Sequence, residues 1–446
     1  MALTGCMSLA PKYERPAAPV AARFPGTGAA SNQAAASIAW QAYFADARLK
    51  QLIGLALANN RDLRVAILNI EQARAQYQVR RADILPTVGL GVSGSRTPGE
   101  NDSIKSSYSA GLAVSSFELD LFGRVRSLSD AALSQFLATE EARKATHISL
   151  IASVANTYLA TLADDELLAL TQRTLDARAE SLKLIELKYD NGVLSKLDLQ
   201  QALSLVDSAR VTLAQQQRQK AQDLNLLTLL VGQPLPANLA PGTALAATAL
   251  GELAAGLPSD LLTVRPDIRA AEQQLIGANA NIGAARAAFF PRITLTGSAG
   301  SASSELSGLF KSGSFGWTFA PQLVLPLFDY GRNSANLGSA KAGRDIAVAQ
   351  YERTIQSAFR EVSDALAGQA TYGEQLRAQR AVEAAEAERF KLSDLRYRSG
   401  AASYLDLLDA QRSLFSAQQA AVQANLQRLQ NQVTLYRVLG GGWTAQ

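Results

Sequence analysis

The chemistry open to this 446-residue chain is narrow. It has one histidine, His147, and one cysteine, Cys6. From these no zinc centre, Cys–His nucleophile pair or disulfide framework can be built. No G-x-S-x-G, G-x-x-x-x-G-K-[ST] or H-E-x-x-H pattern occurs. No catalytic residue and no metal ligand set is assigned, and the chain reads as something other than an enzyme. His147 falls mid-helix and reads as a packing or surface residue. The polar residues whose spacing stands out lie beside two glycine turns. Ser195-x-x-Asp198 and Ser403-x-x-Asp406 have the spacing of capping boxes, in which hydroxyl and carboxylate satisfy orphan amides reciprocally. Gly192 and Gly400, just before them, supply the positive φ that ends a helix. Asp409 sits one turn beyond Asp406 on the same face and cannot be explained as a cap.

These turns must be positioned by long elements. Between Gly123 and Gly192 there is neither Gly nor Pro, and no Pro follows Pro326. Such runs predict helices of about 60–65 residues, roughly 90–100 Å at 1.5 Å per residue. Helices are expected at 47–83, 124–190, 196–231, 260–288, 332–398 and 404–439. No apolar run approaches the ~18 residues of a transmembrane helix. A β-barrel strand needs only about 9–11 alternating residues, so a membrane protein stays open. With 43 basic against 39 acidic residues, well mixed, no nucleic-acid surface is expected.

The chain also repeats itself. Asp62-Leu63-Arg64 matches Asp267-Ile268-Arg269, and Arg81 and Pro86 match Arg286 and Pro291, all at an offset of 205. Leu119-x-Leu121-Phe122 matches Leu325-x-Leu327-Phe328 at 206. Gly123-Arg124 matches Gly331-Arg332 at 208, and the stretch from Tyr189 to Ala202 matches that from Tyr397 to Ala410 at the same offset. The expected organisation is a leader remnant at 1–5 and an extended segment at 6–46. A first repeat at 47–233 has strands at about 84–95 and 107–121. A linker at 234–258 leads to a second repeat at 259–441, with strands at about 292–301 and 314–328, and a tail at 442–446. In the strands, Tyr108, Ala110, Leu112 and Val114 share one face, and Phe315, Trp317 and Phe319 share another. Small or polar residues alternate with them. This suits a barrel wall with lipid outside and water inside, and equally a sheet packed on a core. Four strands cannot close a barrel, so a membrane reading requires two or three chains.

Phe117-Glu118-Leu119-Asp120-Leu121-Phe122-Gly123-Arg124, Arg265-Pro266-Asp267-Ile268-Arg269 and Asp409-Ala410-Gln411-Arg412-Ser413-Leu414-Phe415 carry a resemblance. The chain resembles the outer-membrane factor family of TolC-, OprM- and NodT-like channels, from about residue 40 to Trp443. The resemblance implies a mixed, mostly α fold: a homotrimeric 12-stranded outer-membrane β-barrel continued by a long periplasmic α-helical barrel. It implies a passive exit duct for drugs or other small molecules, working with a periplasmic adaptor and an inner-membrane pump of the resistance-nodulation-division type. It places Gly192 and Gly400 at adaptor-contact tips. At the periplasmic gate it places Leu405 as an apolar constriction and Asp406 or Asp409 as acidic rings. Asp198 falls at the corresponding tip of the first repeat. Tyr397 matches a tyrosine that latches the closed tip, but the latch arginine falls at Ala402. Leu3-Thr4-Gly5-Cys6 fits a lipobox, so no cofactor is expected beyond a covalent lipid on Cys6, anchoring the chain in the outer membrane. Protein secretion of type I, heavy-metal efflux and a coiled-coil scaffold are the alternative readings.

Overall fold

A computed structural model describes residues 8–21, 23–24, 35–99, 104–251, 253 and 258–443. In order they form α1 (Trp40–Tyr43), α2 (Ala47–Asn59), α3 (Arg61–Ala82), β1 (Val88–Pro98), β2 (Ile104–Leu119), α4 (Arg124–Asp190) and α5 (Lys196–Val231). Then come α6 (Pro258–Val264), α7 (Pro266–Ala287), β3 (Arg292–Ser303), β4 (Phe315–Val324), α8 (Arg332–Arg398) and α9 (Tyr404–Val438). Both α4 and α8 run for 67 residues. Among the described residues no helix is long and apolar enough to cross a membrane.

Two of the expected helices are broken, at equivalent points of the two repeats. The helix expected over 47–83 breaks at Asn60, whose extended backbone closes α2. The Asn60 side chain accepts from Leu63 N at 2.9 Å and so starts α3. The helix expected over 260–288 breaks before Pro266, which has no N–H to donate and so opens α7. Each break grips the end of its own repeat. Asn60 Nδ2 donates to Leu230 O at 2.9 Å, and Arg265 Nη1 donates to Val438 O, the repeat counterpart of Leu230, at 3.2 Å. Gly232 closes α5 with φ +78°, and a Cβ there would lie 2.4 Å from Asn59 O.

The chain divides into two compact units. One holds the described residues of 8–19, 67–142 and 267–355, the other those of 20–66, 143–266 and 356–443. The first contains an antiparallel sheet in the order β1-β2-β3-β4. Its register aligns Leu90 with Leu112, Leu112 with Ala299 and Ala299 with Trp317. One face therefore carries Val88, Leu90, Val92, Leu112, Phe315, Trp317 and Phe319, all exposed. The opposite face is small and polar, with Ser93 bonded to Ser109 and Ser298 to Thr318. A bulge at Ser115–Ser116, where Ser116 has φ +57°, adds one residue to β2. It returns Phe117 and Leu119, opposite Leu295 and Ile293, to the apolar face that even-numbered residues hold earlier in the strand. β1 starts at Val88, because Ile84 and Leu85 still hydrogen-bond to Arg81 and Ala82. β4 stops at Val324.

In the same unit the extended lead-in lies along α7. Arg15 grips Glu272 with two nitrogens (2.6 and 2.9 Å), and Tyr13 donates to it at 3.0 Å. Asn279 donates to Pro11 O and Arg286 to Leu9 O. Cys6 lies outside the described residues.

In the second unit His147 packs edge-on against Trp443, with Arg143 over the same indole. Burial, then Arg143, lowers its pKa to about 4, so it is neutral at pH 7. Asp164 is buried next to Asp223, whose neighbourhood also holds the Lys220–Asp165 pair. Burial, then the hydrogen bond and charge of Asp223, push Asp164 up to about 7. The folded state thus holds a proton that the unfolded state has released above pH ~4. Stability should fall as pH rises from about 4 to 7, with a limiting slope of about 1.4 kcal/mol per pH unit. Asp164→Asn should flatten that slope in urea unfolding curves; an unchanged slope would refute the assignment.

Candidate functional site

The candidate site is the pair of turns joining α4 to α5 and α8 to α9, all within the second unit. Both turns are built alike. Gly192 (φ +73°) donates to Tyr189 O, and Val193 donates to Lys188 O, at 2.8 Å each. Gly400 (φ +76°) donates to Tyr397 O at 3.0 Å, and Ala401 to Arg396 O at 2.8 Å. This pairing of crossed bonds satisfies the last carbonyls of each long helix. Two residues later the chain turns back through a capping box. Ser195 Oγ accepts from Asp198 N at 3.2 Å while Asp198 Oδ2 accepts from Ser195 N at 3.1 Å. Ser403 and Asp406 repeat this with the same distances, 3.2 and 3.1 Å. Asp198 and Asp406 each use one carboxylate oxygen on the cap.

The two turns pack on each other. Ile185 and Ala202 from the first share a buried cluster with Tyr404, Leu407 and Leu408 from the second. Tyr397 lies against this cluster, tilted on Tyr404 at 5.5 Å between ring centroids. Lys188 reaches it from the other hairpin: Nζ is 3.3 Å from Tyr397 Oη and 5.0 Å from the ring centre. Leu405 does not join the cluster. It is 57% exposed, and its repeat counterpart Leu197 is 66% exposed.

Asp409 takes two arginines, Arg389 across the hairpin and Arg412 at 2.6 Å on its own helix. Arg389 also holds Glu386 at 3.0 Å. The hydrogen bond from Arg389, then the two guanidinium charges, holds the Asp409 carboxyl below the usual carboxylate range. Within one chain the acid expected to face like charges therefore faces unlike ones. Asp406, Asp409 and Leu405 share one helix end, and Leu405 and Asp409 line a groove with Gln200, Gln201, Ser204 and Arg412.

Sequence reasoning missed Arg389, Lys188 and Tyr404 as members of this site. Folding α8 and α9 about Gly400 would have found Arg389, since it and Asp409 lie almost equally far from that turn. Lys188 and Tyr404 depend on how two hairpins pack, which has no local signature. Among the described residues no group of three or more His, Cys, Asp or Glu is placed to hold a metal.

A sheet apolar on one face and small-polar on the other, joined to paired 67-residue helices, defines the wall of a membrane channel. The family described as outer membrane efflux protein matches residues 52–233 and 257–441, one match per repeat. The chain belongs to that family. It is 50% identical to the antibiotic efflux pump outer membrane protein ArpC of Pseudomonas putida, and as much to the toluene efflux pump outer membrane protein TtgC of the same species. Each alignment covers 100% of this chain and 94% of the relative. The open state of the Neisseria gonorrhoeae MtrE outer membrane channel superposes with a TM-score of 0.91 at 43% identity, over 98% of both chains. The fold is thus that of the TolC-like channels, and the protein is an outer-membrane efflux channel component.

Proposed function

We propose that three copies close a 12-stranded barrel and form the passive exit duct of a tripartite efflux system for apolar or amphiphilic small molecules. The observation that carries this is the sheet: four strands with a continuous exposed apolar face and two unpaired edges. In lipid each orphan edge amide costs several kcal/mol, and closure with other copies removes that cost. Antibiotic and toluene export by close relatives supports the cargo class. An adaptor and an inner-membrane pump of the resistance-nodulation-division type supply the energy and open the tips around Gly192 and Gly400. The gate consists of Leu405, Asp406 and Asp409, with Asp198 and Tyr397 beside them. Brought together around an axis, these leucines narrow the passage and these carboxylates attract cations.

Planar-bilayer recordings of the purified protein test the reading. The folded protein should conduct, and a folded assembly that never conducts would sink the duct. Asp406→Ala combined with Asp409→Ala should raise single-channel conductance or weaken cation block. No change in either removes the carboxylates from the gate.

Cys6 is the proposed acylation site. Leu9 is held by Arg286, six residues before β3 begins, so the lead-in runs toward the strand end of α7. Acyl chains contribute about 0.8 kcal/mol per buried CH₂, enough for a firm anchor when several are attached. Cys6→Ala behind a cleavable non-lipoprotein leader should abolish metabolic acyl labelling, and persisting label would refute the site.

A further inference from the structure

Inside the chain the first repeat packs on the second through α4, α7 and the β2–β3 ladder. A Cβ on Gly277 would lie 3.3 Å from Ala131 O and 3.3 Å from Ser134 Cβ, and one on Gly283 would lie 2.6 Å from Ser127 Oγ. Below them, Glu118 binds both Arg124 nitrogens (2.7 and 2.6 Å) and Arg292 (2.6 Å).

The counterparts of these surfaces are bare. A shift of 208 carries α4 onto α8, and a shift of −205 carries α7 onto α3. Val125, Ser127, Ser129, Ser134 and Ala138 are buried on α4. Their counterparts Asn333, Ala335, Leu337, Ala342 and Ile346 are half-buried or exposed. Val79 of α3 is 63% exposed and Ile346 of α8 is 58% exposed. The contact that the first repeat makes with the second is therefore open for the second repeat to make with the first repeat of another copy. For the strands the shifts are 206 for β2 onto β4 and −205 for β3 onto β1, and they place Leu323 opposite Leu90 of the partner subunit, by analogy with Phe117 opposite Leu295.

The ion cluster does not survive the shift. Arg124 becomes Arg332, but Glu118 becomes Val324 and Arg292 becomes Thr87. Arg332 is left exposed, with no ion pair among the described residues. The shift supplies a carboxylate elsewhere. Arg124 and Ala288 line one cavity, and −205 turns Ala288 into Asp83. In its own chain Asp83 is half exposed, makes a 3.6 Å contact with Arg80 and is felt by Arg124.

Resting on the duct reading above, we propose that Arg332 of one copy pairs with Asp83 of the partner subunit at every seam of the closed assembly. The first repeat's own acid, Glu118, is thereby replaced at the seam by an acid from the neighbour. Arg80 and Arg124 flank Asp83 from its own chain, so the carboxylate sits among guanidinium groups and tolerates the third. A contact of this kind selects a second copy of this chain in one register, because slipping β4 along β1 moves Arg332 away from Asp83.

Charge reversal in the full-length protein tests the pair. Asp83→Arg and Arg332→Asp should each lower the temperature at which the detergent-resistant assembly dissociates on a gel, and the double variant should restore it. In a Cys6→Ala background, Asp83→Cys with Arg332→Cys should give inter-subunit adducts with a short bismaleimide. Additive loss in the double reversal, or no adduct in an assembly that forms, would overturn the pair and leave the duct standing. A wild-type chain that forms no oligomer would overturn both.

Discussion

Gly300→Ala, and separately Gly111→Ala, should leave little folded protein in the outer membrane. The two glycines face each other across the β2–β3 ladder. A Cβ on Gly300 would lie 2.3 Å from Ala110 O and 2.4 Å from Gly111 Cα, and one on Gly111 2.5 Å from Ala299 O. These neighbours are backbone, so no side chain can rotate away and the strands themselves must separate. Overpacking alone costs about 1–3 kcal/mol. Ladder bonds broken in a membrane, where water cannot replace them, cost several kcal/mol more. Gly91→Ala and Gly316→Ala are the matched controls: same sheet, same small-polar face, and nothing within 4 Å of the added carbon. The controls should give the heat-modifiable folded band at wild-type levels. If Gly300→Ala does so too, the close approach of β2 and β3 is not what limits assembly.

The long helices and the two turns are legible in the sequence because each signal is local. Absence of Gly and Pro between Gly123 and Gly192 leaves α4 nothing to break on, and Ser195-x-x-Asp198 states its own hydrogen bonds. The repeat is legible for the same reason, and extends to contacts: Asn60 with Leu230 O and Arg265 with Val438 O occupy matching places. What was hidden depends on geometry between elements. Asp409 shows its arginines only once α8 and α9 are folded together at Gly400. The bulge at Ser115–Ser116 leaves a trace, since apolar residues pass from even numbers at Val114 to odd ones at Phe117, but two serines can equally end a strand. The lead-in is legible as extended, but its path along α7 is not. Two of its contacts run through the carbonyls of Leu9 and Pro11, which carry no side-chain information, and the others join Tyr13 and Arg15 to Glu272, more than 250 residues away.

Arg265→Ala should be the most damaging single change outside the sheet. The Arg265 side chain is 8% exposed and reaches both Val438 O and Glu361. Nη1 donates to Val438 O at 3.2 Å, and Nη2 lies 3.0 Å from Glu361 Oε2. Truncation leaves Glu361, among the described residues, with the Arg437 ion pair at 4.0 Å, and withdraws the guanidinium donor from Val438 O near the end of α9. Glu361 keeps 29% of its side chain exposed, so the loss is that of charge-assisted hydrogen bonds and of a buried guanidinium, about 1.5–3 kcal/mol per bond. Asn60→Ala, the same place in the first repeat, removes a neutral bond to Leu230 O and the cap at Leu63 N. That loss is about 1–2 kcal/mol. Arg265→Lys keeps the charge but loses the planar fork that reaches both partners, and should fall between the two. Thermal unfolding should therefore rank Asn60→Ala, Arg265→Lys and Arg265→Ala in order of increasing loss. If Arg265→Lys matched wild type, charge alone would hold the second repeat closed. If Asn60→Ala were the worst, the cap of α3 would matter more than the buried charge.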